Sequence, residues 1–379
     1  MTSGAKFRDA DGGVYLAERF GPTLFPLKLD DPACGQTVAQ SRCAGFIHGN
    51  SFANFSLPGP NLQTRIYLTF LARRVWQLNR AIPGCRREER RLADISMPEK
   101  VFVITGGAVG IGFETAKLVY AKSGNVYIAG RNRPRMEEAI AALKQEYPES
   151  QGRLGFFSLD LADLATIKPA VAEFIAKENR LDVLFCNAGV MVPPAGSKTV
   201  QGYEQQLGTA AAEAPGAVRV VWVSSSATHT GPPGGIFWDD MNNDSGKASQ
   251  LDLYSQSKVG MSFLASEYAR RNKRAGIVSV VINPGHLKTD LMRHMSSLMV
   301  WIMNTCFLYD PVYGAYTEIF AGLSRDVRVE DGGRYIMPWG RFGLFKDDVA
   351  AAMKSKAEGG SGGAERFWGF CEAATKSYQ

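Results

Sequence analysis

Histidine is scarce in this chain, with four among 379 residues. The six cysteines, at 34, 43, 85, 186, 306 and 371, are scattered, and no Cys-x-x-Cys pair occurs. A zinc site of the usual Cys/His kind is therefore excluded, and no metal is expected. The thiols read as free, as in a reducing compartment, and the expected location is cytoplasmic. Long apolar runs are also missing. The longest, Leu298 to Tyr309, is broken by Asn304 and Thr305 and falls short of the roughly 20 residues that span a bilayer. The N-terminus lacks the continuous apolar stretch of a secretory signal. Net charge is +6, but residues 1–100 carry 14 Lys/Arg against 9 Asp/Glu, while the rest of the chain carries 29 against 28. The larger part is almost neutral, and nothing in it suggests a nucleic-acid partner.

Glycine is what the chain has in the right place. Val101-Phe-Val-Ile-Thr105 runs straight into glycines at 106, 107, 110 and 112, and the amphipathic run Phe113 to Lys122 follows. Strand, glycine-rich turn and helix form the first half of a nucleotide-binding βαβ unit. Side chains in such a turn would hold the backbone away from a pyrophosphate. The helix that starts there aims unpaired N–H groups and its positive dipole end at the phosphate.

From residue 98 the pattern stays regular. Strands are expected at 101–105, 125–130, 154–159, 181–186, 218–223, 277–283 and 334–338. Helices are expected at 111–123, 133–147, 163–178 and 251–272, the second with Met136, Ile140, Ala141 and Leu143 on one face. Strands alternating with helices imply an α/β fold, a parallel sheet covered on both faces. Residues 1–97 read as a separate, poorly patterned extension, either loosely ordered or an artefact of how the gene was translated. Ile66 to Leu78 can form a short basic amphipathic helix that meets a partner or a membrane surface.

Several strand ends carry polar residues where open α/β sheets bind ligands. The second strand ends Gly130-Arg131-Asn132, with Arg133 and Arg135 beyond and no acid to take ribose hydroxyls. Arginines at a helix N-terminus oppose its dipole, but they match a 2′-phosphate, which favours NADP over NAD. Asp160-Leu161 closes the third strand, and Asn187-Ala188-Gly189 closes the fourth with small residues that leave room for an adenosine. Tyr254 and Lys258, four apart, share a helical face. A phenol titrates near 10 when unperturbed, and a neighbouring ammonium is expected to lower that value. Such a tyrosine can exchange the proton of an alcohol or ketone while hydride moves at a nicotinamide. Val223-Ser224-Ser225-Ser226 ends the preceding strand, and a hydroxyl there can hold the substrate oxygen beside Tyr254. No Gly-x-Ser-x-Gly elbow surrounds these serines, and His229 reads as a loop residue without a catalytic role.

Together these motifs resemble the short-chain dehydrogenase/reductases, and within them the retinol-dehydrogenase-like and WW-domain-oxidoreductase-like branch in its fungal form. The resemblance runs from about Val101 to Tyr378. It rests on Thr105-Gly-x-x-x-Gly-Ile-Gly112, Asp160-Leu161, Asn187-Ala-Gly189, Val223-Ser-Ser225, Tyr254-x-x-x-Lys258 and Pro284-Gly-x-Leu-x-Thr289, with Tyr335-Ile-Met-Pro-Trp-Gly340 further on. It implies a Rossmann-type doubly wound parallel sheet in one domain, residues 98–379. Tyr254 would be the acid/base, Ser225 would orient the carbonyl, and Lys258 would hold the ribose and tune Tyr254. Thr105, Gly106, Gly110, Ile111, Gly112, Arg131, Asp160, Leu161, Asn187, Ala188, Gly189, Pro284, Gly285, Leu287 and Thr289 would complete the cofactor site. Leu291 to Leu308 would form a lid over a small apolar alcohol or carbonyl substrate. No oligomeric state follows.

One stretch departs from the family. Gln206-Leu-Gly-Thr209-Ala-Ala-Ala-Glu-Ala-Pro-Gly216 leads directly into Val218. The family asparagine that holds a relay water is missing, with roughly 15 to 20 residues, or four to five turns, of its helix. A shortened helix over Gly202–Ala214 is expected to leave apolar sheet wet. The alternative reading is therefore a catalytically impaired nucleotide-binding protein, a sensor or scaffold.

Overall fold

The computed structural model describes residues 97–211, 219–288 and 308–378, together with the backbone of three short strands nearer the N-terminus. The chain forms two compact units, Met1–Leu68 and Thr69–Gln379. In the first, β1 (Ala5–Arg8), β2 (Val14–Ala17) and β3 (Leu27–Lys28) pair antiparallel in that order. The expected amphipathic helix at 66–78 lies outside the described residues.

The second unit is built on eight strands: β4 (Val101–Thr105), β5 (Asn125–Gly130), β6 (Leu154–Ser158), β7 (Val183–Cys186), β8 (Arg219–Val223), β9 (Val278–Ile282), β10 (Tyr335–Met337) and β11 (Arg341–Gly343). Their order is β11-β10-β9-β8-β7-β4-β5-β6. All neighbours are parallel except β11, which returns antiparallel along β10. The chain steps outward from β4 to β6, then crosses back to place β7 on the other side of β4. Between β4 and β7 the strand order reverses, and their carboxyl ends open the crevice where such sheets bind ligands.

Strand parity explains the layers, because successive side chains point to opposite faces. Phe102, Ile104, Val126, Ile128, Val183 and Phe185 meet α1 (Gly110–Tyr120), α2 (Arg133–Glu146) and α6 (Pro311–Leu323) on one face. Val101, Val103, Tyr127, Leu184, Val220 and Trp222 meet α3 (Ile167–Lys177), α4 (Gln205–Ala211), α5 (Gln250–Asn272), α7 (Asp347–Met353) and α8 (Gly363–Thr375) on the other. A sheet covered on both faces explains strands that read as unbroken apolar runs.

Three expectations are corrected. On α2 the buried side chains are Met136, Ala139 and Leu143, with Ile140 half-buried and Ala141 exposed. Ala141 falls beyond the edge of the stripe that a 3.6-residue period draws through Met136. Helix α4 exists but is described only over seven residues, about two turns. The strands beside it are nevertheless dry: Leu184 is 8% exposed and Trp222 2%. Leu207 of α4 is buried, and Phe367 of α8 packs over Gly260 of α5, so these helices cover the face that the short crossover would have bared. Among the described residues, no helix is long and apolar enough to cross a membrane.

Candidate active site

A cavity of about 740 Å³ opens at the carboxyl ends of the central strands. Thr105, Gly106, Gly110, Ile111, Arg131, Asp160, Leu161, Asn187, Ala188, Gly189, Ser225, Tyr254, Lys258, Pro284, Gly285 and Leu287 all line it. Gly112 stands just behind the wall, and Thr289 lies outside the described residues. Of the expected lid, Leu308 lines the cavity and 291–307 lie outside the described residues.

The glycine turn is fixed from behind by β7. Thr105 Oγ1 accepts the backbone N–H groups of Asn187 (3.0 Å) and Ala188 (2.9 Å) and donates to the Phe185 carbonyl at 3.3 Å. Asn187 Nδ2 donates to the Thr105 carbonyl at 2.9 Å. This cross-strap brings Asn187 against the first turn of α1. A Cβ on Gly112 would stand 2.5 Å from Asn187 Nδ2 and 2.8 Å from the Gly106 carbonyl oxygen. Gly106 adopts φ +67°, and a Cβ there would sit 3.1 Å from Ala188 Cα. The N-cap position, Val109, supplies no side-chain hydrogen bond, and the first turn of α1 holds no acid. A helix start of this kind is chemically suited to an anion.

The three arginines after β5 separate. Arg133 pairs with Glu137 at 2.9 Å and lies over the Phe156 ring. Arg131 and Arg135 line the cavity instead, beside Asn132, whose Oδ1 caps α2 by accepting from Arg135 N at 3.1 Å. The cap fixes the backbone at the start of α2, and both arginines are exposed beside it. At the next strand end, Asp160 spends an oxygen on the N–H of Ala162 (3.0 Å) and lines the same wall.

Tyr254 and Lys258 enter from α5, whose start is secured by a capping box between Ser249 and Asp252. Lys258 Nζ is buried, donates to the Val223 carbonyl at 2.9 Å and lies 5.7 Å from the Tyr254 ring centre. It stands 3.6 Å from where a Cβ on Gly189 would be, so the ammonium and Gly189 are neighbours on the cavity wall. Burial pushes the Tyr254 pKa up, and a hydrogen bond with the Ser225 side chain opposes this only in part. The expected lowering by Lys258 is overturned: the ammonium points at the end of β8, and desolvation of the phenol dominates. Ser225 Oγ accepts from Ala227 N at 3.2 Å, which keeps its own proton available to Tyr254 or to a ligand.

His229 contacts backbone carbonyls, Ser226 O at 3.3 Å and Leu344 O at 3.2 Å, as a loop residue would. Sequence reasoning missed the wall opposite the glycine turn. Val190, Met191, Gln205, Thr209, Thr230, Leu251 and Asp252 line it. No motif announces them, although Gln205 and Thr209 share a face of α4 at the i, i+4 spacing that a short helix there implies.

The geometry has counterparts among known proteins. The model of the family described as short chain dehydrogenase matches residues 100–207. Its match ends within α4, at the start of the stretch that departs from the pattern. A short-chain dehydrogenase/reductase of Phomopsis amygdali is 40% identical over 302 residues, covering 74% of this chain and 90% of its own. Since 74% of 379 residues is fewer than 302, some aligned positions of that relative have no counterpart here. A solved structure from Mycobacterium paratuberculosis, of an uncharacterised protein, superposes with a TM-score of 0.56 at 27% identity over 75% of this chain and 97% of its own. A short chain dehydrogenase from Burkholderia cenocepacia J2315, solved in complex with NADP, has the same fold, with a TM-score of 0.50 at 20% identity over 65% of this chain and 98% of its own.

Proposed function

This chain belongs to the short-chain dehydrogenase/reductase family, and on that premise we propose that it reduces the carbonyl of a small apolar substrate with NADPH. One observation carries the reading: Ser225, Tyr254 and Lys258 converge on the cavity that also receives the glycine turn and two unclaimed-side arginines, Arg131 and Arg135. The fit to a dinucleotide rests on the uncapped start of α1 and on Gly112, where a side chain would have closed the turn. The turn at 106–112 would hold the pyrophosphate, Arg131 and Arg135 the 2′-phosphate, and Lys258 the ribose hydroxyls. When bound, the cofactor supplies hydride. Ser225 holds the substrate oxygen, and Tyr254 gives that oxygen its phenolic proton. The phenol ordinarily titrates near 10 and burial pushes it further up, so it holds its proton at neutral pH, and the hydrogen bond from Ser225 offsets part of that shift. Val190, Met191, Leu251 and Leu308 give the substrate end an apolar lining. Purified protein should oxidise NADPH with members of a ketone and aldehyde panel. Tight NADPH binding with no turnover across the panel sinks the proposal.

That outcome is what the second reading requires, a nucleotide-binding protein without turnover. The stretch 206–216, which runs into β8 with no asparagine after Gly208-Thr209, favours it. Inserting a longer helix between Thr209 and Arg219 discriminates: turnover gained only with the insert supports impairment, and equal rates with and without it count against.

A further inference from the structure

Ser225 heads a single 3₁₀ turn, Ser226–His229. Its carbonyl accepts from Thr228 N at 3.3 Å and from Thr228 Oγ1 at 3.1 Å. Both bonds are internal to the turn. They fix its shape, while Thr230 Oγ1 at its end meets Ser255 Oγ of α5 at 2.9 Å.

A third bond comes from far along the chain. Tyr335 Oη donates to the Ser225 carbonyl at 3.1 Å across 110 residues. Tyr335 is 1% exposed and belongs to β10, where Tyr335 pairs with Val281 and Ile336 with Ile282 of β9. Asn283 N donates to the Ile336 carbonyl at 2.8 Å, which extends the pairing to the edge of the cavity. The Tyr335 ring packs on Phe345 with centres 4.8 Å apart. Burial pushes its pKa up to about 12, while hydrogen bonds with the side chains of Thr228 and Asn283 pull against that. The phenol therefore keeps its proton, and the donor role, throughout the neutral range.

We propose that Tyr335 is a positioning residue for the reaction: its hydroxyl ties the Ser225 turn to the sheet and so sets the distance between Ser225 Oγ and Tyr254. The inference rests on the reductase reading above. Nothing in it requires Tyr335 to touch the substrate. Its effect passes through Ser225, whose hydrogen bond opposes the burial of Tyr254. Displacements well under an ångström matter at such a site.

Tyr335→Phe keeps the ring and removes the tie. In ketone reduction, kcat should fall roughly tenfold, about the worth of one hydrogen bond, with KM and NADPH affinity unchanged. Alcohol oxidation needs the phenolate, so the rise of its rate with pH should move to higher pH, as in Ser225→Ala. On a Ser225→Ala background, Tyr335→Phe should cost nothing more, because residues acting through one contact are not additive. Amide hydrogen exchange should quicken at 225–230 and stay unchanged at 101–130. A full second loss on the Ser225→Ala background, or unchanged exchange at 225–230, overturns the proposal. If the wild type binds NADPH yet reduces nothing, the reductase reading fails by itself, and the exchange result still decides whether the tie exists.

Discussion

Around the glycine turn, β4, β7 and α1 are held by side-chain bonds from Thr105 and Asn187 and by the close approach at Gly112, which has no room for a methyl group. The opposite wall is built from the two described turns of α4, the 3₁₀ turn at 226–229 and the start of α5. It is held by Val192 N to Gln206 Oε1 at 3.1 Å, by Thr230 Oγ1 to Ser255 Oγ at 2.9 Å and, from 110 residues away, by Tyr335 to Ser225. The first wall holds its shape through contacts between adjacent strands. The second is held by ties between short elements. The proposed division of labour follows: one wall binds the dinucleotide, and the other performs the proton transfer.

The sharpest way to separate the walls is Tyr254→Phe. It keeps the ring and removes the proton donor. Turnover should fall by about a thousandfold, within the range of general acid–base catalysis, while NADPH titration returns the wild-type affinity. A variant that keeps a tenth of the wild-type rate would remove Tyr254 from the role assigned to it.

Gly112→Ala attacks the other wall. The new methyl group would stand 2.5 Å from Asn187 Nδ2 and 2.8 Å from the Gly106 carbonyl oxygen. Overpacking of this kind costs about 1–3 kcal/mol. Asn187 must release Thr105, and the turn must open. NADPH affinity should drop by a factor of roughly ten to a hundred and the melting temperature should fall with it, whereas kcat at saturating NADPH changes little. Unchanged affinity would show that the turn does not need its close approach to β7.

The two walls also differed in how far they could be read in the sequence. The glycine turn, the Asn187-Ala188-Gly189 corner and the Tyr254–Lys258 pair are local patterns, and the cavity gathers all of them. Missed elements have non-local causes. Helix α6 reads Pro-Val-Tyr-Gly-Ala-Tyr-Thr-Glu-Ile-Phe-Ala-Gly-Leu, with two glycines and little helical propensity. It forms because Ile319, Phe320 and Ala321 bury against the sheet. Strand β11 is three residues long and runs antiparallel at the edge, too short for a period to register. The upward shift of Tyr254 was likewise hidden, because four-residue spacing says nothing about where Lys258 Nζ finds its acceptor.

The smallest of these effects concerns the rim where cofactor choice would be made. Arg131 and Arg135 stand exposed there, and Arg133 is committed to Glu137. A hydrogen bond to a charged group contributes about 1.5–3 kcal/mol when shielded, but solvent and salt weaken it at an open rim. Replacing Arg131 and Arg135 together by alanine should therefore reduce the preference for NADPH over NADH by about tenfold. The loss should come from NADPH affinity alone, with NADH affinity unchanged, because only the 2′-phosphate would have met those side chains. Raising ionic strength should narrow the wild-type preference and leave that of the double variant as it is. Arg133→Ala serves as the internal comparison, since its guanidinium lies over Phe156. If Arg133→Ala weakens NADPH as much as the double variant does, the rim does not sort its arginines as described. The phosphate contact would then belong to the start of α2 as a whole.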